Sequence, residues 1–312
     1  FYENFKQSHI ESVQNIVGVK NRFWAQDETS LSLCCEASEN LFDDLVLKNI
    51  NLRPKIDILL FITQTPDKHM PSSAYEAHSI LKLSDECVCY SLNAGCTGFV
   101  EGIGLAYDLI CSRGFNNCLF LIGDTLSKHL DSTDPSTAPI FGDAGAAIWI
   151  DNQHKVKFIV KGGTKPDSTK SIQLNYNTGD KSEFLSMNGL DVFNFTINGI
   201  PKFVKSVSSK WMSRYNYQLD IDYYFFHQAN NMILKTIIKK LHLDKSKVPL
   251  NIEKFGNTSG VSIPLLINSI YKKKLKGKSF SAMFCGFGVG LSWSAMLIES
   301  IELEFSKTVI KD

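Results

Sequence analysis

Short apolar runs alternate along this chain with longer helical patterns, and that alternation is the strongest constraint on its fold. Runs with strand character occupy residues 56–63, 86–92, 118–122, 144–150, 221–226 and 279–285. Between them, apolar residues recur at helical spacing over 31–50, 72–83, 97–112, 192–215, 230–241 and 259–274. Strands this apolar are covered on both faces. The pattern therefore predicts an α/β fold with its strands largely buried between helical layers. Residues 155–187 are more polar, with Gly162-Gly163 and Asn177-Thr178-Gly179-Asp180, and are expected to form strands and loops joining two halves.

A chain of 312 residues exceeds what one compact core usually serves, so two domains or two fused halves are expected. An internal echo points the same way. Ile56-Asp57 opens IDILLFITQ and Ile221-Asp222 opens IDYYFFHQA. Later, CLFLIGD and SAMFCGFG each end a strand in glycine. Echoes this coarse also arise by chance, so the residues alone leave duplication open.

Charge excludes some partners. With 33 basic and 32 acidic side chains, the net charge of +1 gives no electrostatic reason to expect nucleic acid or an anionic membrane. No stretch approaches the ~18 apolar residues of a membrane span. The opening FYENFKQSHIES has no basic segment followed by an apolar one, so no secretory signal is visible and a cytoplasmic location is expected. The lysine run at 271–278 reads as the solvated end of a helix, with docking as the alternative.

The cysteines stand at 34, 35, 87, 89, 96, 111, 118 and 285. A chain this large needs no disulfide framework, so reduced thiols are expected. Cys87-x-Cys89 and the adjacent Cys34-Cys35 do not match zinc spacing, and no metal is expected. Seven of the eight read as packing residues. Cys96 is the exception.

Around Cys96, Ser91-Leu92-Asn93-Ala94-Gly95-Cys96-Thr97-Gly98-Phe99 describes a strand end, a tight turn and a helix start. Gly102, Gly104 and Ala106 suit a buried helix that other backbone approaches closely. A thiol at such an N-terminus is expected to have a lowered pKa; the bland alternative is a packed Cys beside a turn. His227-Gln228-Ala229-Asn230 follows a buried strand, at the end of the sheet where ligands bind. Phe255-Gly256-Asn257-Thr258-Ser259-Gly260 precedes an apolar helix that Thr258 or Ser259 would cap. Pro264 implies that this helix bends or begins late. Cys285-Gly286-Phe287-Gly288-Val289-Gly290 is an incomplete dinucleotide fingerprint, and LSWSAMLIES after it reads as a strand. Glycines there suit a backbone close to a ligand. Phe141-Gly142-Asp143-Ala144-Gly145 is a similar tight element.

Taken in order, NAGCTGF, FGDAGAA, MNGLDVF, HQANNMI, GNTSGVSIP and GFGVGLSW resemble motifs of the thiolase-like condensing enzymes, most closely β-ketoacyl-acyl-carrier-protein synthase III, over about residues 16–298. The resemblance implies a five-layered αβαβα fold with duplicated halves, here 1–153 with the nucleophile and 154–312 with His and Asn. It implies catalytic Cys96, His227 and Asn257, with the backbone N–H of Cys96 and Val289 as oxyanion hole; the family has glycine at the position of Val289. It implies acylation of Cys96, then decarboxylative Claisen condensation with a malonyl thioester. It implies no cofactor beyond the coenzyme A or phosphopantetheine of the substrates, and a homodimer.

Substrate-binding positions implied by the same resemblance are Met70, Phe193, Gly288, Lys239 and Lys240. Met70 matches a position where the partner subunit borders the acyl pocket. Departures fall at the coenzyme-A entrance. The adenine-stacking Trp and Arg correspond to Ser12 and Pro135, and two basic positions to Asn194 and Met232. A carrier-protein-bound or other donor is therefore expected rather than acetyl-coenzyme A, in a specialised pathway. The family's first strand has no counterpart here, so two expectations stand side by side: that the full protein carries further N-terminal residues, or that such residues are disordered. Two rival readings keep the fold: acyl transfer to a hydroxyl or amine, and a non-catalytic partner subunit.

Overall fold

Strands that are apolar on both faces need helices on both faces, and the chain supplies them. The structure, a computed structural model, describes residues 6–48, 50–151, 156–166, 168–174, 184–304 and 306–310. Residues 177–180, within the segment expected as strands and loops, and the side chain of Ser12 lie outside the described residues. In chain order come α1 (Gln7–Val17), α2 (Ser30–Val46), β1 (Ile58–Ile62), α3 (Ser73–Ile80), β2 (Val88–Leu92), α4 (Gly98–Arg113), β3 (Asn117–Asp124) and β4 (Ala144–Asp151). They are followed by β5 (Phe158–Thr164), β6 (Ile172–Gln173), β7 (Ser186–Met187), α5 (Gly189–Tyr215), β8 (Tyr223–Phe226) and α6 (Asn231–Leu241). The last elements are α7 (Ile252–Phe255), α8 (Ser262–Ile270), β9 (Ser279–Gly288) and β10 (Ser292–Glu302).

Two four-stranded sheets result, ordered β2-β1-β3-β4 and β5-β10-β9-β8. In the first, β2, β1 and β3 run parallel and β4 is antiparallel to β3. In the second, β8 and β9 run parallel while β10 is antiparallel to β9. The series β1-β3-β4 and β8-β9-β10 thus repeat one topology, the duplication that the echo of IDILLFITQ in IDYYFFHQA hinted at.

Side chains alternate across a strand, so each central strand feeds two cores. Ile58, Leu60, Ile62, Cys118, Phe120 and Ile122 of β1 and β3 point into a central core with Phe225, Phe280, Phe284 and Met296. Their neighbours Leu59, Phe61, Leu119 and Leu121 point outward against α2 and α3. On the far side, Met283, Cys285, Phe287, Ala295 and Leu297 face α5 and α6. Helices α4 and α8 fill the middle, giving five layers, αβαβα. Burying an aliphatic or aromatic side chain contributes about 1.5–3 kcal/mol, so the central layer is where these sequences hold together.

Helix α4 shows how tightly that layer is packed. A Cβ at Gly102 would stand 2.2 Å from the ring of Phe120, so only glycine lets the helix lie this close to β3. The close approach is made by the side chains of Phe120 and, at Gly104, Val160, rather than by the other backbone expected.

Some boundaries differ from expectation. The helix expected over 31–50 ends at Val46, where the N–H groups of Lys48 and Ile50 turn back to the carbonyl of Leu45. The segment expected as one helix over 259–274 is a 3-10 turn at Ser259–Val261, then α8, then a wider turn at Tyr271–Leu275. Neither Thr258 nor Ser259 caps α8; it begins late, with Pro264 in its first turn, where a missing N–H costs nothing. Cys111 is exposed rather than packed. The lysines of the 271–278 run face solvent, as expected of a helix end.

Candidate active site

Cys96 sits between the end of β2 and the start of α4, where the chain must turn sharply through Asn93-Ala94-Gly95. Its side chain is buried. Burial removes the water that would solvate a thiolate, and the carboxylate of Asp124 nearby adds repulsion. Together they push the thiol up to about 12. Hydrogen bonding from the Ser259 side chain and from the backbone N–H groups of Val289 and Cys96 itself opposes this without reversing it. The expectation of a lowered thiol pKa is thus corrected. The end of β9 closes over the sulfur, so tightly that a Cβ at Gly288 would stand 2.8 Å from Sγ. A helix N-terminus open to water would give the lowered value; a lidded one does not.

His227 follows β8 and extends its pairing, its N–H donating to the carbonyl of Cys285 on β9 at 2.9 Å. The ring stands edge-on to Phe287 with centroids 5.5 Å apart, and Nδ1 lies 2.8 Å from Oγ of Ser262. Burial pushes its pKa down to about 3, hydrogen bonding to the Ser259 backbone opposing. The imidazole is therefore neutral at physiological pH.

Asn257 is held by backbone on both sides. Its N–H donates to the Ile140 carbonyl at 2.9 Å, and its own carbonyl accepts from Gly142 at 3.0 Å. Its Oδ1 accepts from the N–H of Ser259 at 2.9 Å, which turns the amide so that Nδ2 is left to donate elsewhere. Asp143 braces the partner loop, accepting from the N–H groups of Ala25 and Ser127 at 2.8 and 2.9 Å. The FGDAG element thus supports the Asn257 loop.

Cys96, His227, Asn257, Gly288 and Val289 all line one cavity of about 280 Å³. Its walls are largely apolar, with Leu126, Ile140, Phe141, Val192, Ile233 and Phe287 among them. The other expected substrate positions do not line it. Phe193 is half-buried, one residue beyond Val192. Met70 is 85% exposed. Lys240, near the end of α6, donates to the Ile197 carbonyl and Asn198 Oδ1 of α5, and Lys239 is exposed.

Gln64, Asn93 and Ser259 also line the cavity; from sequence none of them has a role in the site, Asn93 being part of the turn and Ser259 a helix-cap candidate. Asp124 was missed too. Fully buried at the end of β3, it accepts from the N–H of Gln64 at 2.7 Å and from Thr63 Oγ1 at 3.2 Å. Burial raises its carboxyl to about 6 despite these bonds. Its signal was present in CLFLIGD, as a charge ending an otherwise apolar strand.

A buried thiol, a neutral imidazole, a free amide donor and two backbone N–H groups can take up an acyl group and stabilise charge on a thioester oxygen. No Asp or Glu lines the cavity among the described residues; the nearest acidic group, Asp124, stands behind Cys96 and outside the cavity wall. No helix of the described residues is long and apolar enough to cross a membrane.

Comparison with known proteins shows the family and the fold. The family model described as 3-oxoacyl-[acyl-carrier-protein (ACP)] synthase III matches residues 90–163, and the model of its C terminal region matches 216–300. The chain is 31% identical over 298 residues to the beta-ketoacyl-[acyl-carrier-protein] synthase III of Streptococcus agalactiae strain NEM316, covering 92% of this chain and 90% of that protein. Among solved structures it is similar to a 3-oxoacyl-(acyl-carrier protein) synthase from Burkholderia xenovorans LB400, with TM-score 0.87 and 32% identity, over 96% of this chain and 88% of that one. The priming beta-ketosynthase of the R1128 polyketide pathway shares the fold at TM-score 0.80 and 23% identity, over 92% and 87% of the two chains.

Proposed function

The chain belongs to the 3-oxoacyl-[acyl-carrier-protein] synthase III family, and from that premise we propose that Cys96, His227 and Asn257 carry its condensing chemistry. It is an acyltransferase of that type. In the first step the Cys96 sulfur attacks an acyl thioester. The acyl–sulfur bond to the donor breaks, and the Cys96 proton ends on the departing donor thiol. With the free thiol held protonated by burial, attack and proton loss go together. The N–H groups of Cys96 and Val289 would hold the developing oxyanion, and valine supplies that N–H as well as glycine would.

In the second step a malonyl thioester replaces the donor thiol. Loss of carbon dioxide leaves an enolate whose oxygen accepts hydrogen bonds from neutral His227 and from Nδ2 of Asn257. Its carbon attacks the acyl-cysteine, and the Cys96 thiolate leaves and takes up a proton from water. Neutral donors suit this step: they stabilise the enolate oxygen without giving it a proton outright. The convergence of Cys96, His227 and Asn257 on one cavity is the observation that carries this reading.

The substrates bring coenzyme A or phosphopantetheine, and no further cofactor is invoked. We place the two duplicated halves at 1–153 and 154–312. A homodimer fits the unpaired edge of β2 and the exposure of Met70, which would border the partner's pocket. Lys239, and Lys240 beside it, offer positive charge to an acyl carrier protein. Cytoplasmic location fits substrates of this kind. Intact-mass measurement over a panel of coenzyme-A and carrier-protein acyl thioesters tests the proposal. A mass gain equal to the acyl group, lost in Cys96→Ala, is expected; a gain that persists would place the nucleophile elsewhere. Release of carbon dioxide from malonyl-carrier protein separates condensation from transfer to a hydroxyl or amine.

A further inference from the structure

One group of potential ligands stands outside the cavity. His78, Cys87 and Cys89 each offer a donor atom, and the three atoms lie within 4.8 Å of one another. Sequence spacing hides this. Cys87-x-Cys89 alone is no zinc motif, but residues two apart on an extended strand share a face. Cys87 just precedes β2 and Cys89 lies within it; α3 packs against that strand and brings His78 over the same face.

We propose that His78, Cys87 and Cys89 form a binding site for a thiolate-preferring divalent ion of the zinc type, bridging α3 to the edge strand β2. Two sulfurs and one imidazole are the donor set such an ion selects, and three protein ligands leave a fourth position for water. Tetrahedral zinc with bonds of about 2.0–2.3 Å needs its donors roughly 3.5–3.8 Å apart, within a side-chain adjustment of the observed grouping. The outer partner is already present. Nε2 of His78 lies 2.9 Å from the carbonyl of Ser84, and a carbonyl only accepts, so Nε2 carries the proton. That leaves Nδ1 with its lone pair. A ligating histidine usually donates its other N–H to such a carbonyl. Cys87 is buried, while Cys89 and His78 are half-buried, so an ion would reach the donors from the face that Cys89 and His78 expose, not along the hydrogen-bonding edge of β2. The chain from Cys89 runs directly along β2 to the Cys96 turn, so the ion would steady the strand that presents the nucleophile.

Titrating the reduced protein with cobalt(II) as a spectroscopic probe, then displacing it with zinc(II), tests this. One cobalt per chain with thiolate-to-metal charge-transfer absorption is expected, bleached by zinc. Cys89→Ser and His78→Ala should each weaken binding by about tenfold or more, while Cys96→Ser should leave the absorption unchanged. Because a cysteine variant can fold poorly, circular dichroism accompanies each titration, and zinc should raise the Tm of the parent chain but not of folded Cys89→Ser. Absence of the charge-transfer band in folded parent protein would overturn the proposal. So would a band that Cys96→Ser removes and Cys89→Ser keeps.

Discussion

The two sheets repeat a topology and diverge at their ends. Where β2 leaves the first sheet, the chain delivers Cys96 just before central helix α4. Where β8 leaves the second, it delivers His227, and the loop before central helix α8 delivers Asn257. On the proposed reading, one scaffold thus presents a covalent group from one side and hydrogen-bond donors from the other. The difference teaches how a duplicated fold can divide labour: the strands and helices are kept, and the short segments between strand ends and helix starts change. The division also shows in electrostatics. The first sheet contributes a thiol raised to about 12 and a carboxyl raised to about 6, whereas the second contributes an imidazole lowered to about 3. Burial drives all three toward the uncharged form.

If the labour is divided in this way, single changes should separate the two steps. Cys96→Ala should lower condensation by about 10³-fold or more and abolish acylation by intact mass, while malonyl-thioester decarboxylation persists. His227→Ala and Asn257→Ala should do the converse. Carbon dioxide release is expected to fall about 10²–10³-fold in each, with acylation of Cys96 still visible by mass. Loss of acylation in these two variants would break the comparison.

Gly288→Ala probes the contact between the two sides. Its methyl would press on the sulfur, so the acylation rate should fall about 10²-fold with Tm changed far less, measured by stopped reaction and thermal melt.

The smallest effect concerns pH. For Asp124, raised from 3.8 to about 6, the folded state holds the extra proton between those values, so its contribution is full below about pH 4 and is lost as pH rises through 6. That amounts to about 3 kcal/mol. His227, lowered from 6.5 to about 3, works oppositely: its contribution is full above about pH 6.5 and is lost as pH falls toward 3. Urea unfolding of Asp124→Asn should therefore show stability rising more steeply from pH 4 to 6 than in the parent. The same variant removes repulsion from Cys96, so iodoacetamide should alkylate the thiol at lower pH than in the parent.

What the sequence reveals follows from how local the cause is. Continuous apolar strands reveal helices on both faces, because coverage is written in every residue of 58–62 or 118–122. The catalytic candidates were legible because each ends a strand or opens a helix, where side chains change character abruptly. Ser259 and Gln64 were not, because they reach the cavity from segments far apart in sequence; Asp124 does end a strand, but its effect on Cys96 arises from another segment. The direction of the Cys96 pKa was misjudged for a related reason. The turn and helix start are local, but the lid that strips water from the sulfur comes from β9. His78 escaped notice beside Cys87 and Cys89 because a helix-to-strand turn, not a periodic spacing, brings them together.

The fit of β9 over the Cys96 sulfur carries one more consequence. A Cβ at Gly286 would stand 2.5 Å from the Cys96 carbonyl, and one at Gly288 would overlap the sulfur at 2.8 Å. The seam between the repeats has less slack than a single methyl group. Homologous repeats that have drifted apart by even an ångström in sheet spacing could each fold soundly and still fail when spliced together. For recombination between relatives, the heritable unit of this enzyme is therefore the matched pair, and the crossover point that looks safest, between the two sheets, is the one most exposed to misfit.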